Sequence, residues 1–344
     1  MKYLLYLLLV FGLFACQFNG NHRVARSYYF WKTTFELNEQ EQTRLQELQV
    51  QKLYVRYFDV DWDAQQQQAI PVSPIVFKDK LPSQAEIIPT VYITNKVLQQ
   101  LPAQQVADLG NKILKKIKQL NKQGNLQQLH EIQLDCDWTE STRDKYFELV
   151  EHVKLTLQPE QVAISVTIRL HQVKYARRTG VPPADRGMLM YYNMGDLKDM
   201  DGPNSIYDPA TAKAYLHNFE RYPLALDVAL PAFSWAVLIH HNKPVALLNN
   251  LRQPDFSDTT KYKKLSANRY QVQQLQFIQH HYLYPGDLLK LEEISPDISK
   301  QAAEQVAGYL HHDSLAVALY HWDPKHLDTY KNEDLEEIYL TVGR

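Results

Sequence analysis

The feature that most constrains this chain is a repeated alternation. Eight short apolar runs, at 27–33, 52–59, 86–93, 131–137, 162–170, 187–193, 226–233 and 314–321, are separated by amphipathic helical patterns or long connections. Many of the runs are near-continuous in apolar residues, as strands covered on both faces require. Such strands pair in parallel, and each parallel pair needs a crossover connection. The intervening segments supply it. Residues 103–122 place Val106, Leu109, Ile113, Ile117 and Leu120 at helical spacing. Asn38 and Glu41 have capping-box spacing for a helix over 38–49, and Asp208-Pro209 offers a cap and first-turn residue for one over 208–221. Further helices are expected over 140–155 and 297–309. Eight such units in a chain of 344 residues predict an α/β fold, a (β/α)8 TIM barrel over 27–344. An open doubly wound sheet is the alternative for the same pattern.

The longest connection, 234–295, follows the seventh strand. Within it 237–241 and 245–249 flank Asn242-Lys243-Pro244, a hairpin pattern. Long connections after strands lie on the catalytic face of such barrels, so 234–295 is expected as an insertion on the C-terminal face of the strands.

Residues 1–15 have another purpose. Lys2 precedes an apolar run over 3–14, and Ala15 precedes Cys16, the layout of a secretory signal peptide. The run is too short to span a bilayer comfortably. A Cys directly after Ala15 resembles a bacterial lipobox, which implies lipidation of Cys16 and a tether over 16–26. The expected partner is a membrane, held by the lipid anchor, and the expected place is the bacterial cell envelope, on the periplasmic side of the outer membrane. Gln17 stands where an inner-membrane retention signal would have Asp. The one other cysteine is Cys136, so the processed chain has no intramolecular disulfide and no CxxC zinc site. A net charge of −2 with no basic block argues against nucleic acid as a partner. Gly-rich phosphate loops are absent, and no cofactor is expected. The histidine pairs at 240–241, 280–281 and 311–312 are adjacent residues that face opposite sides of a strand, and no metal is expected.

In a barrel the C-terminal strand ends converge on one mouth. The residues expected there are Trp31, Asp59, Asp61, Tyr92, Asp135, Asp137, Trp138, Arg169, Tyr192, Asn193, Asp196, Trp235, His321, Trp322 and Asp323. Aromatic rings stack on the CH faces of sugars, and carboxylates and amides bind their hydroxyls, so the expected partner is a glycan or oligosaccharide. Asp135 and Asp137 share a face at a period of two, with Cys136 packed on the other side. Two like charges that close repel, their pKa values separate, and the pair becomes the candidate for acid/base catalysis.

Leu134-Asp135-Cys136-Asp137-Trp138 resembles the strand-four signature of the chitinase-type glycoside hydrolases, family 18, written DxxDxDxE, often with Trp before the final Glu. The segment 188–193 is similar to that family's strand six: Met190 and Tyr192 match, and Asn193 stands where Asp is usual. Trp322 suits the position of the family's aromatic floor on strand eight better than Trp235 does. The resemblance implies a TIM barrel acting on a glycan, in which a strand-four Asp assists the substrate's own N-acetyl group and a Glu protonates the leaving oxygen. Here the first Asp is Ile132 and the Glu is Thr139; Glu140, one residue on, points elsewhere. Two readings follow. One is an enzyme with Asp137 as acid and Asp59, Asp61, Asp196 or Asp323 as its partner. The other is a barrel that keeps a glycan-binding mouth without the chemistry. An envelope scaffold is a third.

Overall fold

The computed structural model describes residues 23–216, 219–310 and 312–344. The signal segment 1–15, Cys16 and positions 17–22 of the expected tether lie outside the described residues. Eight strands form the barrel: β1 (Arg23–Phe30), β2 (Lys52–Asp63), β3 (Glu86–Ile93), β4 (Glu131–Asp135), β5 (Ala163–Arg169), β6 (Arg186–Met190), β7 (Leu226–Pro231) and β8 (Ser314–Tyr320). Each pairs in parallel with the next, and β1 pairs with both β8 and β2. That double pairing closes the ring and rules out the open sheet. β1 starts at Arg23, so positions 23–26 belong to the barrel and not to a tether. An antiparallel strand, Gln68–Val72, pairs with β2 outside the ring.

The longer helices are α1 (Glu39–Glu47), α2 (Val106–Gln123), α3 (Arg143–Leu157), α4 (Pro209–Leu216), α5 (Pro296–Ala307) and α6 (Asn332–Val342). At the head of α1, Asn38 and Glu41 form a reciprocal capping box with both bonds at 2.9 Å. Asp208 accepts the Thr211 backbone N–H at 2.8 Å at the head of α4. The helices pack on the outward faces of the strands, which in β4 are Ile132 and Leu134, both fully buried.

The inward faces are polar, and each layer carries paired groups. At the N-terminal end of the barrel, Lys52 bridges Glu131 at 2.8 Å and Glu86 at 3.5 Å, and Arg186 holds Asp227 at 2.6 Å. One layer up, Tyr29 donates to Gln133 at 2.6 Å, Gln133 donates to Ser165 at 3.2 Å, and Tyr54 stacks on Tyr29. The next layer holds the site. A bulge helps to shape it: the β2–β3 register shifts between Arg56 and Phe58, which leaves Tyr57 as an extra residue. Arg56 and Asp59, three apart, therefore share a face and pair at 2.5 Å.

The connection after β7 is a five-stranded antiparallel sheet in the order Lys243–Asn249, Ser234–His240, Leu288–Glu293, Arg269–Val272, Tyr262–Lys264. It has its own core, which includes Leu238, Leu248, Phe256, Tyr270 and Leu289. A separate hairpin pairs Gln276–Ile278 with His281–Leu283. Lys290 and Glu292, a buried ion pair of 2.9 Å on one strand, tie the sheet to the loop after β6 through hydrogen bonds to Asp199, Gly202, Pro203 and Ser205.

Candidate functional site

Asp135 closes β4 and is buried. Its Oδ1 accepts the Thr167 hydroxyl of β5 at 2.5 Å and lies 3.4 Å from Arg169 Nη2. Arg169 is the last residue of β5, and its Nε donates to Asp137. One guanidinium therefore spans both carboxylates. Burial pushes the Asp135 carboxyl up to about 6; Arg169 opposes the rise, Asp137 adds to it, and the Thr167 hydrogen bond opposes it. The Asp137 side chain remains 47% exposed and can accept from a ligand.

Aromatic rings form the rest of the site. Tyr192 stacks on Tyr320 with centroids 4.9 Å apart and planes 29° apart, and Phe233 meets both rings edge-on. Trp31 lies 6.0 Å from Tyr320. Burial, with the Asp137 and Asp135 charges, pushes the Tyr92 hydroxyl up to about 12. Asn193 adopts φ 55°, a left-handed conformation that Asn tolerates, and its N–H donates to Ile206 O at 2.7 Å, fixing the loop after β6. Together Trp31, Tyr92, Asp135, Asp137, Arg169, Met190, Tyr192, Asn193 and Tyr320 line a cavity of about 180 Å³.

Seven of the fifteen residues expected at the mouth line this cavity: Trp31, Tyr92, Asp135, Asp137, Arg169, Tyr192 and Asn193. The other eight do not. Asp59 is turned to Arg56. Asp61 accepts the Trp62 N–H at 2.8 Å and the Thr94 hydroxyl at 2.9 Å, bonds that hold its carboxyl below the usual range. Asp196 is exposed and accepts the Lys198 N–H. Asp323 caps the short helix Pro324–Leu327 and receives Asn250 Nδ2 at 2.7 Å. None of the four expected partner carboxylates thus reaches the cavity.

The three indoles are packing groups. Trp138 stacks on Tyr146 of α3 and donates to Thr179 O at 2.9 Å. It lies beyond the end of β4, and its packing on α3 takes the indole away from the mouth. Trp322 lies beyond the end of β8, where its N–H bonds back to Tyr29 O at 2.7 Å; its ring packs on Tyr28 and donates to Glu41 of α1. Trp235 is buried in the insertion and donates to Glu292 at 2.8 Å. His321 is half-buried beside the cavity-lining Tyr320, and burial pulls its imidazole down to about 4. Two further cavity residues, Tyr320 and Met190, fall in segments that the sequence points to, Tyr320 at the end of strand eight and Met190 in the strand-six segment. Each is the last residue of its strand, and that position is the signal that marks them.

At the position of the family's acid, Thr139 is exposed and its hydroxyl bonds to Ser141 at 3.0 Å. Glu140 pairs with Arg178 at 2.9 Å. Among the described residues no cluster of three His, Cys, Asp or Glu could hold a metal ion, and no helix is long and apolar enough to cross a membrane.

No protein-family model and no curated protein sequence matches the chain. Solved structures do. A chitinase from Chromobacterium violaceum ATCC 12472 aligns with a TM-score of 0.55 at 12% identity, over 93% of this chain and 99% of that one. The spore cortex-lytic enzyme SleL of Bacillus megaterium QM B1551 aligns with a TM-score of 0.53 at 12% identity, over 93% and 75%. A class V chitinase from Nicotiana tobaccum, solved in complex with NAG4, aligns with a TM-score of 0.52 at 10% identity, over 94% and 99%. The likeness is one of fold: this chain has the closed eight-stranded barrel of chitinases and chitinase-like glycosidases.

Proposed function

We propose that this chain is a lipid-anchored, glycosidase-like barrel of a bacterial envelope that binds a glycan at its mouth without cleaving it. One observation carries the reading: Arg169 spans Asp135 and Asp137, and among the described residues no other carboxylate lines the cavity. Glycoside hydrolysis by two carboxylates needs one that protonates the leaving oxygen and a second across the scissile bond, at about 5–10 Å. Here both sit on one guanidinium, and Thr139 stands at the acid's position. What remains suits binding. The Tyr192–Tyr320 stack and Trp31 offer faces to a sugar ring, and Asp137 and Asn193 offer acceptors to its hydroxyls. A cavity of about 180 Å³ is below the roughly 300–1,000 Å³ of most ligand sites. It suits one ring or one end of a glycan, with the remainder outside.

The test is calorimetric titration with a panel of oligosaccharides that includes N-acetylglucosamine polymers. The expected result is binding that weakens roughly tenfold in Trp31→Ala, about 1.5 kcal/mol for a lost stacking face, with no products released. Failure of the wild-type protein to bind any member of the panel overturns the reading. Hydrolysis is the second reading, and it is favoured by one observation, a carboxyl at about 6 on Asp135, which holds a proton in a fraction of molecules near neutral pH. Sugar release that is lost in Asp135→Asn would establish it. The anchor rests on Ala15-Cys16 and the apolar run before it. Metabolic labelling with an alkynyl fatty acid should mark the wild-type chain and leave Cys16→Ser unmarked; equal labelling of both would remove the anchor.

A further inference from the structure

The surface of the insertion carries a feature that the cavity does not use. From Tyr270 to Gly286 there is no Asp, Glu, Lys or Arg, in a chain that is 22% charged. This stretch contains the hairpin Gln276–Ile278 with His281–Leu283. Its two faces differ, as alternation requires. Leu283 is fully buried and Ile278 packs against the core of the insertion, whereas the cross-strand pair Phe277 and Tyr282 is 58% and 59% exposed. Tyr284, next along, is 48% exposed. The rings touch in series: His240 to Tyr284 at 5.6 Å, Tyr284 to Tyr282 at 6.4 Å, Tyr282 to Phe277 at 4.8 Å, and Phe277 to His280 at 6.4 Å between centroids.

The ribbon is held in place. The hairpin turns through Gln279 and His280, both at positive φ (49° and 70°), the geometry of a tight two-residue turn. Gln279 is fastened from both ends of its amide to the Asn249 backbone, at 2.9 Å and 2.6 Å. At the other end, Asp287 accepts the Tyr284 N–H at 2.8 Å and lies 2.6 Å from His240 Nδ1. Exposed rings on a fixed hairpin lose little conformational freedom on binding.

We infer that this ribbon is a second binding surface, separate from the mouth, that takes a neutral polysaccharide chain. Serial aromatic faces stack on successive sugar rings, and the interleaved Gln and His side chains meet their hydroxyls. The lack of charge selects the partner. A segment that lies on a bilayer carries Lys and Arg on its polar flank, and this one has neither. An acidic polymer would find no Lys or Arg in it.

The test is depletion of the full processed chain by insoluble chitin and by cellulose. The wild-type protein is expected to be retained by one or both. Phe277→Ala with Tyr282→Ala should weaken that retention at least tenfold, with short-oligosaccharide binding at the mouth and the thermal midpoint unchanged. Should the double variant misfold, Tyr282→Gln alone gives the same comparison. The inference is overturned by equal retention of variant and wild type, or by no retention of the wild type on either polymer. It is also overturned by flotation with phosphatidylethanolamine–phosphatidylglycerol vesicles that the double variant abolishes, which would make the ribbon a membrane contact. Failure of the mouth as a glycan site shows separately, as no short-oligosaccharide binding by any of these proteins.

Discussion

Glu292→Ala is expected to lower the folding free energy by about 3–5 kcal/mol. Glu292 and Lys290 are each 2% exposed and lie 2.9 Å apart. Both ions are saturated. Lys290 Nζ donates to the carbonyls of Asp199, Gly202 and Pro203 at 3.1–3.2 Å, and Glu292 accepts the Ser205 N–H at 3.1 Å, the Ser205 hydroxyl and the Trp235 indole. Removing the carboxylate leaves an ammonium buried without its counter-ion, together with an unpaired hydroxyl and an unpaired indole N–H. Because the three carbonyls belong to the loop after β6, that loop should also open. Chemical denaturation reads the first effect, and limited proteolysis between 196 and 207 reads the second. Lys290→Met with Glu292→Leu, which removes both charges at similar volume, should recover the part of the loss that comes from the lone ammonium. A shift under about 1 kcal/mol in the single variant would show that the ion pair is not what holds the loop.

The barrel was legible in the sequence because its strands must alternate with crossovers to be buried at all. Asp135 and Arg169 could be placed for the same reason: each is the last residue of a strand with unambiguous inward phase, and Asp137 follows Asp135 by two. The errors come from places where period two stops being a guide. Tyr57 is an inserted residue in β2, which brings Asp59 onto the face of Arg56, and its pairing with that guanidinium, not its phase, keeps it from lining the cavity. β4 ends at Asp135 and β8 at Tyr320, and beyond those points Trp138 and Trp322 follow the packing of α3 and α1. Within the insertion, the hairpin around Asn242 was visible, while the strands Tyr262–Lys264 and Arg269–Val272 were not. They have three and four residues, too few for a period to register, and tertiary pairing alone makes them strands.

What no local pattern reveals is the relation between Arg169 and the two aspartates. It depends on β4 and β5 being neighbours with Gln133 level with Ser165, a register that brings Thr167 and Arg169 level with Asp135 and Asp137. The same pair of carboxylates beside an apolar β5 residue would be a repelling dyad suited to acid chemistry. Beside Arg169 it is an anchored anion pair, and the polar interior below it, from Lys52–Glu131 to Tyr29–Gln133, has the same paired character.

Arg169→Met should therefore expose the cost of that pair, and it should do so in a pH-dependent way. In the wild-type fold Asp135 titrates at about 6, against about 4 in an unfolded chain. Between those values the folded chain holds a proton that the unfolded chain has released. Stability from this group thus falls as pH rises from about 4 to about 6 and is level above, a span on the order of 3 kcal/mol. Arg169 pulls the Asp135 pKa down. Without it the folded-state pKa climbs further, and the falling limb extends above pH 6. At neutral pH the variant is expected to be about 3–5 kcal/mol less stable than wild type, because two carboxylates are left with no cation. On acidification to about pH 4 most of the deficit should close, since Asp135 is then protonated in both folded proteins. Asp135→Asn should flatten the slope, and adding it to Arg169→Met should restore much of the loss at neutral pH. Denaturation midpoints taken from pH 4 to pH 8 decide the matter: a deficit in Arg169→Met that is the same at every pH would mean that Arg169 serves as a packing residue and not as the counter-ion of Asp135 and Asp137.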